Sequence, residues 1–354
     1  MIPKIILKIL NTLEQNGFEA YIVGGFVRDT LFYKKTNDID IATNALPKDL
    51  VTIFGPPNRK IKYGSYHRMI EGYTIDITTY RKEEKYEEGK PIAFSYSNNL
   101  LEDAKRRDFT MNALYMNKNG NILDPCQGRV SIDNKVLKTI GNPKIRFEED
   151  PLRILRAIRF ASQYHLKLDR PIMQAIQKTK KNLSNISTSL IRKELDIILL
   201  SNGFQLLKTL GILNPLEIRT QRIVYVEDIS GLWAQIQTDK NYIQEKELKK
   251  NQKEISEMLK CGTISMLDLY RYGIYECRVA AKIMHFKPKR LNTMIQKMPI
   301  TSRKDIALSS EEIIKISGVS GKELGNLLKK IEERIVLGQL KNTKEEIQKY
   351  INGR

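Results

Sequence analysis

Residues 21–43 read YIVGGFVRDTLFYKKTNDIDIAT. Tyr21, Ile22 and Val23 form a short apolar run closed by Gly24 and Gly25, the pattern of a buried strand that ends in a tight turn. Phe26 to Tyr33 then opens a helix with Arg28 in its first turn. A glycine pair at that junction lets backbone N–H groups approach a phosphate, and a helix start favours the same anion. Asp38, Ile39, Asp40 and Ile41 follow. Alternate residues of a strand share a face, so the two aspartates point one way and the two isoleucines into a core. Two carboxylates side by side repel unless a cation lies between them, and hard oxygen donors suit Mg²⁺. Taken singly, a glycine pair is a turn and Asp-x-Asp is solvated surface. The succession of strand, glycine turn, basic helix start and acidic strand is what is specific.

The 354 residues give room for about two to four small domains. Hydrophobic residues make up 41%, enough to fill real cores, and the net charge of +19 calls for a polyanionic partner. No apolar run reaches the length that spans a bilayer, and Met1 to Leu10 is amphipathic rather than a signal peptide. Nucleic acid is therefore the better partner than a membrane. Cys126, Cys261 and Cys277 are far apart and odd in number, which supports neither a disulfide framework nor a zinc site. His67, His165 and His285 are scattered, and no adjacent His-Asp pair marks a metal phosphohydrolase; all three read as structural or surface residues.

Ile5, Ile6, Ile9, Leu10 and Leu13 lay a helical stripe that Gly17 ends. Pro47 starts a second helix, stopped by Gly55-Pro56-Pro57. Arg59 to Arg68 reads as a basic strand, and Met69 to Tyr80 as a hairpin around Glu71-Gly72. Asp76 lies on the second arm, either a third carboxylate beside Asp38 and Asp40 or an edge-strand aspartate. Arg81 to Leu100 is charged and aperiodic and reads as a mobile loop. Leu101 to Met116, LEDAKRRDFTMNALYM, returns to helical spacing, with Arg106, Arg107 and Asp108 in its middle and Asn112 one turn on. A tight turn at Lys118-Asn119-Gly120 falls in a hairpin region that runs to Gly141. From Phe147 the pattern is helical; Asp150-Pro151 starts FEEDPLRILRAIRFASQYHL, in which Arg153, Arg156 and Arg159 recur every three residues. Three arginines on one stripe repel, and make sense lining something negative. The remainder is nearly all helix, with a basic face at Lys246, Lys249, Lys250, Lys253 and Lys260.

These segments carry a resemblance. GGFVRD followed by DID, RRDFTMNA, LDPCQGRVSIDNKVLKTIG, EDPLRILRAIRF and the stretch Ser187 to Leu200 resemble the class II CCA-adding tRNA nucleotidyltransferases and bacterial poly(A) polymerases, a branch of the DNA polymerase beta nucleotidyltransferase superfamily. Cys126 and Gln127 replace an aromatic residue and a glycine of that pattern. SGVSGKELGNLLKKIEERIVLGQLKNTKEE is similar to the family's C-terminal glycine turn, helix and asparagine-capped last helix.

The resemblance implies an α+β catalytic head with a mixed sheet over residues 1–142. Helical neck (143–209), body (210–300) and tail (301–354) segments follow, the last gripping tRNA. It implies CCA addition to tRNA from CTP and ATP in the cytoplasm, with two Mg²⁺ ions, no nucleic-acid template and no obligate protein partner. Asp38 and Asp40 would hold metal, and Asp76 would bind or deprotonate the attacking hydroxyl. Gly24, Gly25, Arg28, Arg156 and Arg159 would meet the triphosphate, and Arg107, Asp108 and Asn112 the nucleotide and its ribose. Asp150 and Arg153 would read the base. Cytosine and adenine both set an amino donor beside a ring acceptor; guanine and uracil put a carbonyl in place of the amino group and leave the carboxylate unpaired. The 81–100 loop would help the site change from C to A, and its presence speaks against an enzyme adding only CC. An enzyme adding only A or only CC, a poly(A) polymerase and a non-catalytic RNA-binding protein remain the alternatives.

Overall fold

The computed structural model describes residues 2–36, 39–70, 73–87 and 90–353. The chain divides into two units, Met1–Ile218 and Arg219–Arg354.

The first unit is built on a mixed sheet. Strands β1 (Ala20–Val23), β2 (Asp40–Thr43), β3 (Ser65–Ile70), β4 (Tyr73–Thr79), β7 (Tyr115–Met116) and β8 (Ile122–Leu123) lie in the order β3-β4-β2-β1-β7-β8. β2 runs parallel to β4 and antiparallel to β1. Ile22, Ile41, Ile75 and Ile77 alternate onto one buried face, and helix α1 (Lys4–Gln15) buries Ile5, Ile6, Ile9, Leu10 and Leu13. The opposite face carries Val23, Ala42 and Tyr115 beside the polar row considered below. Helices α2 (Gly25–Leu31), α3 (Pro47–Phe54), α4 (Leu100–Arg106) and α5 (Gly128–Asp133) connect the strands. A short parallel pair, β9 (Val136–Leu137) with β10 (Lys167–Leu168), leads into the helical part: α6 (Pro143–Glu149), α7 (Leu152–Gln163), α8 (Arg170–Thr179), α9 (Thr188–Leu200) and α10 (Phe204–Thr209).

Three expectations need correction here. The stretch read as a mobile loop holds a hairpin, β5 (Arg81–Glu87) against β6 (Lys90–Tyr96). Its half-buried side is built on an ion pair, Arg81 Nη2 to Glu83 at 2.6 Å, so no apolar alternation announces it. Residues 59–64, read as strand, lie outside β3. The helix expected to run to Met116 stops at Arg106: Arg107 is extended, residues 110–112 form one 3₁₀ turn, and Tyr115 is already in β7. The cause is side-chain competition with the helix. Asp108 Oδ1 accepts the Phe109 amide at 2.8 Å and Asn112 Nδ2 at 2.8 Å, pinning an irregular backbone. At Gln127 the chain adopts φ +58, the left-handed conformation for which the family pattern has glycine.

The second unit is helical among the described residues: α11 (Ile229–Ala234), α12 (Lys246–Cys261), α13 (Met266–Tyr272), α14 (Ile274–Ile283), α15 (Pro288–Gln296), α16 (Ser310–Ser317), α17 (Gly321–Val336) and α18 (Lys344–Asn352). Ile313, Leu327, Ile331, Ile335, Ile347 and Ile351 close one core between the last three helices. The last helix is capped by Thr343, which accepts from the Glu346 amide, rather than by asparagine. Asn342 instead bridges the Ala307 amide and the Asp305 carbonyl. The five lysines of the α12 face are exposed. No helix of the described residues is long and apolar enough to cross a membrane.

Candidate active site

The ends of β1, β2 and α4 meet at Gly24. Its φ is +72, and a Cβ there would lie 3.7 Å from Asp40 Oδ2 and 3.8 Å from Arg107 Nη1. A bare backbone thus faces a carboxylate and a guanidinium at the edge of a cavity of about 570 Å³. Gly24, Gly25, Arg28 and Asp40 line it from the sheet side. Arg107, Asp108 and Asn112 line it from the RRD segment, and Asp150, Arg153, Arg156 and Arg159 from the start of α7. Eleven of the thirteen residues singled out from sequence therefore share one cavity. Asp76 is not among its lining residues, and Asp38 lies outside the described residues.

Register carries Asp76 to the same face. Asp76 opposes Asp40 across β2–β4 and His67 across β3–β4, so His67, Asp76 and Asp40 form a row over three strands. His67 Nδ1 contacts Asp76 Oδ1. The sequence holds no adjacent His-Asp pair, but the fold makes one, and His67 is not merely a surface residue. An oxygen-donor pair such as Asp40 and Asp76 suits a hard divalent cation. Among the described residues, no three acidic, histidine or cysteine side chains converge as a complete metal cage.

The arginine stripe is neutralised piece by piece. Asp108 Oδ2 accepts from Arg156 Nε at 2.8 Å and Nη2 at 2.5 Å. Asn112 passes the link on, its Oδ1 accepting from Arg28 Nη1 at 2.8 Å. Burial would push the Asp108 carboxyl up, but Arg156, Asn112 and the Phe109 amide outweigh it and hold it well below the usual range. Both oxygens of Asp108 thus serve the protein, orienting Arg156 and Asn112. Arg159 donates through Nε to Glu194 Oε2 at 2.6 Å, and its guanidinium carbon lies 4.0 Å from the Phe160 ring centroid. Arg107 is held from behind: Nη2 reaches Asp103 at 3.0 Å and Nε reaches the Tyr115 hydroxyl at 3.0 Å, leaving Nη1 as the end near Gly24.

Asp150 and Arg153 sit on either side of the break between α6 and α7. Asp150 Oδ1 accepts the Leu152 amide at 3.0 Å, while Oδ2 stands 3.8 Å from Arg153 Nε. Burial raises the Asp150 carboxyl above its ordinary pKa against the pull of Arg153. Arg153 Nη1 donates to Glu149 at 2.9 Å, and Nη2 donates to the Tyr86 hydroxyl at 3.0 Å.

Sequence reasoning missed the groups that hold these donors: Asp103, Tyr115, Glu194, Glu149, Glu83 and Tyr86. Two of them had a visible signal. Asp103 lies three and four residues before Arg106 and Arg107, and Glu149 four before Arg153, spacings at which helical side chains meet. Glu194 and Tyr86 reach the site from 35 and 67 residues away and left no local trace.

Comparison with known proteins finds relatives along nearly the whole chain. Residues 20–138 match the family described as the poly A polymerase head domain, and residues 244–351 a putative tRNA nucleotidyltransferase domain 2. A CCA-adding enzyme of Geobacillus sp. (strain WCH70) is 30% identical over 390 residues, spanning 98% of this chain and 95% of that protein. One of Lactobacillus delbrueckii subsp. bulgaricus is 31% identical over 381 residues, spanning 98% and 96%. The crystal structure of the Bacillus stearothermophilus CCA-adding enzyme in complex with CTP superposes with a TM-score of 0.81 at 25% identity, covering 100% of this chain and 98% of that one. With a matched head domain and relatives alike over nearly their whole length, the chain belongs to the CCA-adding enzymes and is a nucleotidyltransferase.

Proposed function

We propose that this chain rebuilds the 3′ end of tRNA by adding C, C and A from CTP and ATP, without a nucleic-acid template, and releases pyrophosphate at each addition. One observation carries the reading. A carboxylate and a guanidinium able to read C and A, Asp150 and Arg153, line the same cavity as Asp40 and the arginines 28, 107, 156 and 159. That set can grip a triphosphate, select a base and present a metal-binding carboxylate together.

Asp40 and Asp38 would hold Mg²⁺, with Asp76 beside Asp40 as a further carboxylate. When bound, the metal supplies charge neutralisation for the triphosphate and lowers the pKa of the attacking 3′-hydroxyl. The chain's own groups do the rest. Arg28, Arg156 and Arg159 present N–H donors to phosphate oxygens, their planes fixed by Asn112, Asp108 and Glu194. Gly24 and Gly25 keep the approach free of side chains. Arg107 and Asn112 meet the sugar side of the nucleotide. Asp150 accepts from the exocyclic amino group of C or A, and Arg153 donates to the neighbouring acceptor. A base with a carbonyl in place of that amino group leaves Asp150 desolvated and unpaired, which costs about 1–3 kcal/mol or more.

On this reading residues 1–142 are the catalytic head and 143–209 the base-selecting neck. The body (210–300) and tail (301–354) hold the tRNA acceptor arm, to which the exposed lysines of α12 offer phosphate contacts. The protein would work in the cytoplasm. The deciding experiment supplies a tRNA lacking its 3′ end with CTP and ATP, separately and together. A product ladder that stops after three additions supports the proposal. Long A tails, a single A on a tRNA already ending in CC, or no incorporation would each replace it.

A further inference from the structure

Arg146 belongs to none of the residues singled out above, yet it joins both halves of the cavity. Its side chain, on α6, is buried. Nη2 donates to the main-chain carbonyls of Arg106 at 2.6 Å and Arg107 at 2.8 Å, groups left open where α4 ends. Nη1 donates to Glu149 Oε2 at 2.6 Å. The same Glu149 oxygen accepts from Arg153 Nη1 at 2.9 Å, and that Nη1 also donates to the Arg146 carbonyl at 3.1 Å. One guanidinium therefore fixes the backbone that carries Arg107 and Asp108, and through Glu149 and its own carbonyl it fixes the plane of Arg153. Its Nε is buried with no partner among the described residues.

We propose that Arg146 is a positioning residue that sets the distance between the sugar-phosphate end of the site and its base-reading end, and so determines how sharply wrong bases are refused. The proposal rests on the reading of Asp150 and Arg153 as the base-selecting pair. Its physical basis is rigidity. A wrong base is penalised only while the groups facing it cannot move to relieve the mismatch. Arg146 spans the carbonyl pair and Glu149 at once because its planar fork offers donors in two directions. Lysine keeps the charge on a single nitrogen and can satisfy one side only.

The test is Arg146→Lys, with Arg146→Gln as a second variant, measured by single-nucleotide incorporation of CTP and UTP on a tRNA ready for its first C. We expect the preference for CTP over UTP, as a ratio of kcat/KM, to fall at least about tenfold in Arg146→Lys, the weight of one misaligned charge-assisted hydrogen bond. The melting temperature should stay near that of the unchanged protein. Equal losses with CTP and UTP, or a melting temperature that drops while the ratio holds, would overturn the proposal and leave Arg146 a structural staple. Arg153→Ala separates this outcome from failure of the underlying reading. If it leaves the CTP preference intact, the base-selecting assignment itself is wrong. If it abolishes the preference and Arg146→Lys does not change it, only the positioning role is lost.

Discussion

Replacing Tyr86 by phenylalanine removes one oxygen and leaves the rest of the hairpin in place. That hydroxyl accepts from Arg153 Nη2 at 3.0 Å and donates to Glu83, while its ring centroid lies 5.2 Å from the Arg153 guanidinium carbon. Arginine has five N–H groups. In Arg153, Nη1 is directed at Glu149 and the Arg146 carbonyl, and one Nη2 hydrogen at Tyr86; Nε stands on the Asp150 side. Three donors thus aim the group, and on the proposed reading the other two are left to meet a base. Phenylalanine keeps the ring contact but loses one hydrogen bond to a charged donor, worth about 1.5–3 kcal/mol when buried. Because Tyr86 is only partly buried, the low end applies, which is roughly tenfold. The variant should therefore incorporate UTP about tenfold better relative to CTP, since a loosened Arg153 no longer enforces the mismatch penalty. Addition of the final A, which asks the pair to accommodate a larger base, should fall more than addition of C. The assay is single-turnover extension of tRNAs lacking one, two or three terminal nucleotides, with products resolved on a gel. UTP discrimination and A addition both within about twofold of the unchanged protein would refute the reasoning. This change is cleaner than deleting the hairpin from Glu84 to Ser97. The Ser97 hydroxyl donates to Glu102 and accepts the Asn99 amide at the start of α4, so the deletion would damage the RRD segment as well.

Asp40→Ala should lower incorporation at least about a thousandfold, the scale of losing metal-held charge neutralisation, while tRNA retention on a filter changes little; substantial turnover in Mg²⁺ would count against the metal assignment. tRNA affinity should drop steeply between roughly 50 and 200 mM salt, because a +19 chain binding phosphates releases counterions, and a flat titration would make the charge incidental. Acid stability should depend on Asp103: burial works to raise its carboxyl, but Arg107, Arg106 and Tyr115 hold it at about 2. The folded pKa lies below the unfolded one. The contribution, roughly 2 kcal/mol, is therefore complete above about pH 4 and is lost as pH falls through about 2. Urea unfolding at pH 5 and pH 3 should accordingly show a smaller pH dependence for Asp103→Asn than for the unchanged protein, and equal dependence would remove Asp103 from the account.

The strand, glycine turn and acidic strand of residues 21–43 were legible because their information is local: periods of two, a break at Gly24-Gly25 and a return to period two. The α6–α7 region was legible for the same reason, since Asp150-Pro151 marks the break and the arginines recur within one helix. The helix expected across Arg106 to Met116 failed where helical spacing met Asp108 and Asn112, whose side chains bind the backbone and each other in place of helix bonds. The hairpin of residues 81–96 failed because its half-buried side is an ion pair with a tyrosine and a phenylalanine, a pattern that hydropathy scores as loop.

The larger gap concerns charge. A stripe of Arg153, Arg156 and Arg159 can be read from one helix, but the groups that neutralise it come from elsewhere. Asp108 lies 48 residues before Arg156, Glu194 lies 35 after Arg159, and Tyr86 lies 67 before Arg153. These pairings decide what each arginine can do. A guanidinium already held by a carboxylate is fixed in direction and less attractive to phosphate, whereas one held by a carbonyl and a hydroxyl keeps its full charge for the ligand. Arg156 is of the first kind, taken twice by Asp108. Arg153 is intermediate, with one carboxylate oxygen, one carbonyl and one phenol. Spacing in the sequence makes the three equivalent. The fold grades them: on the proposed reading, Asp108 takes part of the pull of Arg156 on phosphate in exchange for fixing its direction, while Arg153 keeps two N–H groups for the hydrogen bonds that tell one neutral base from another.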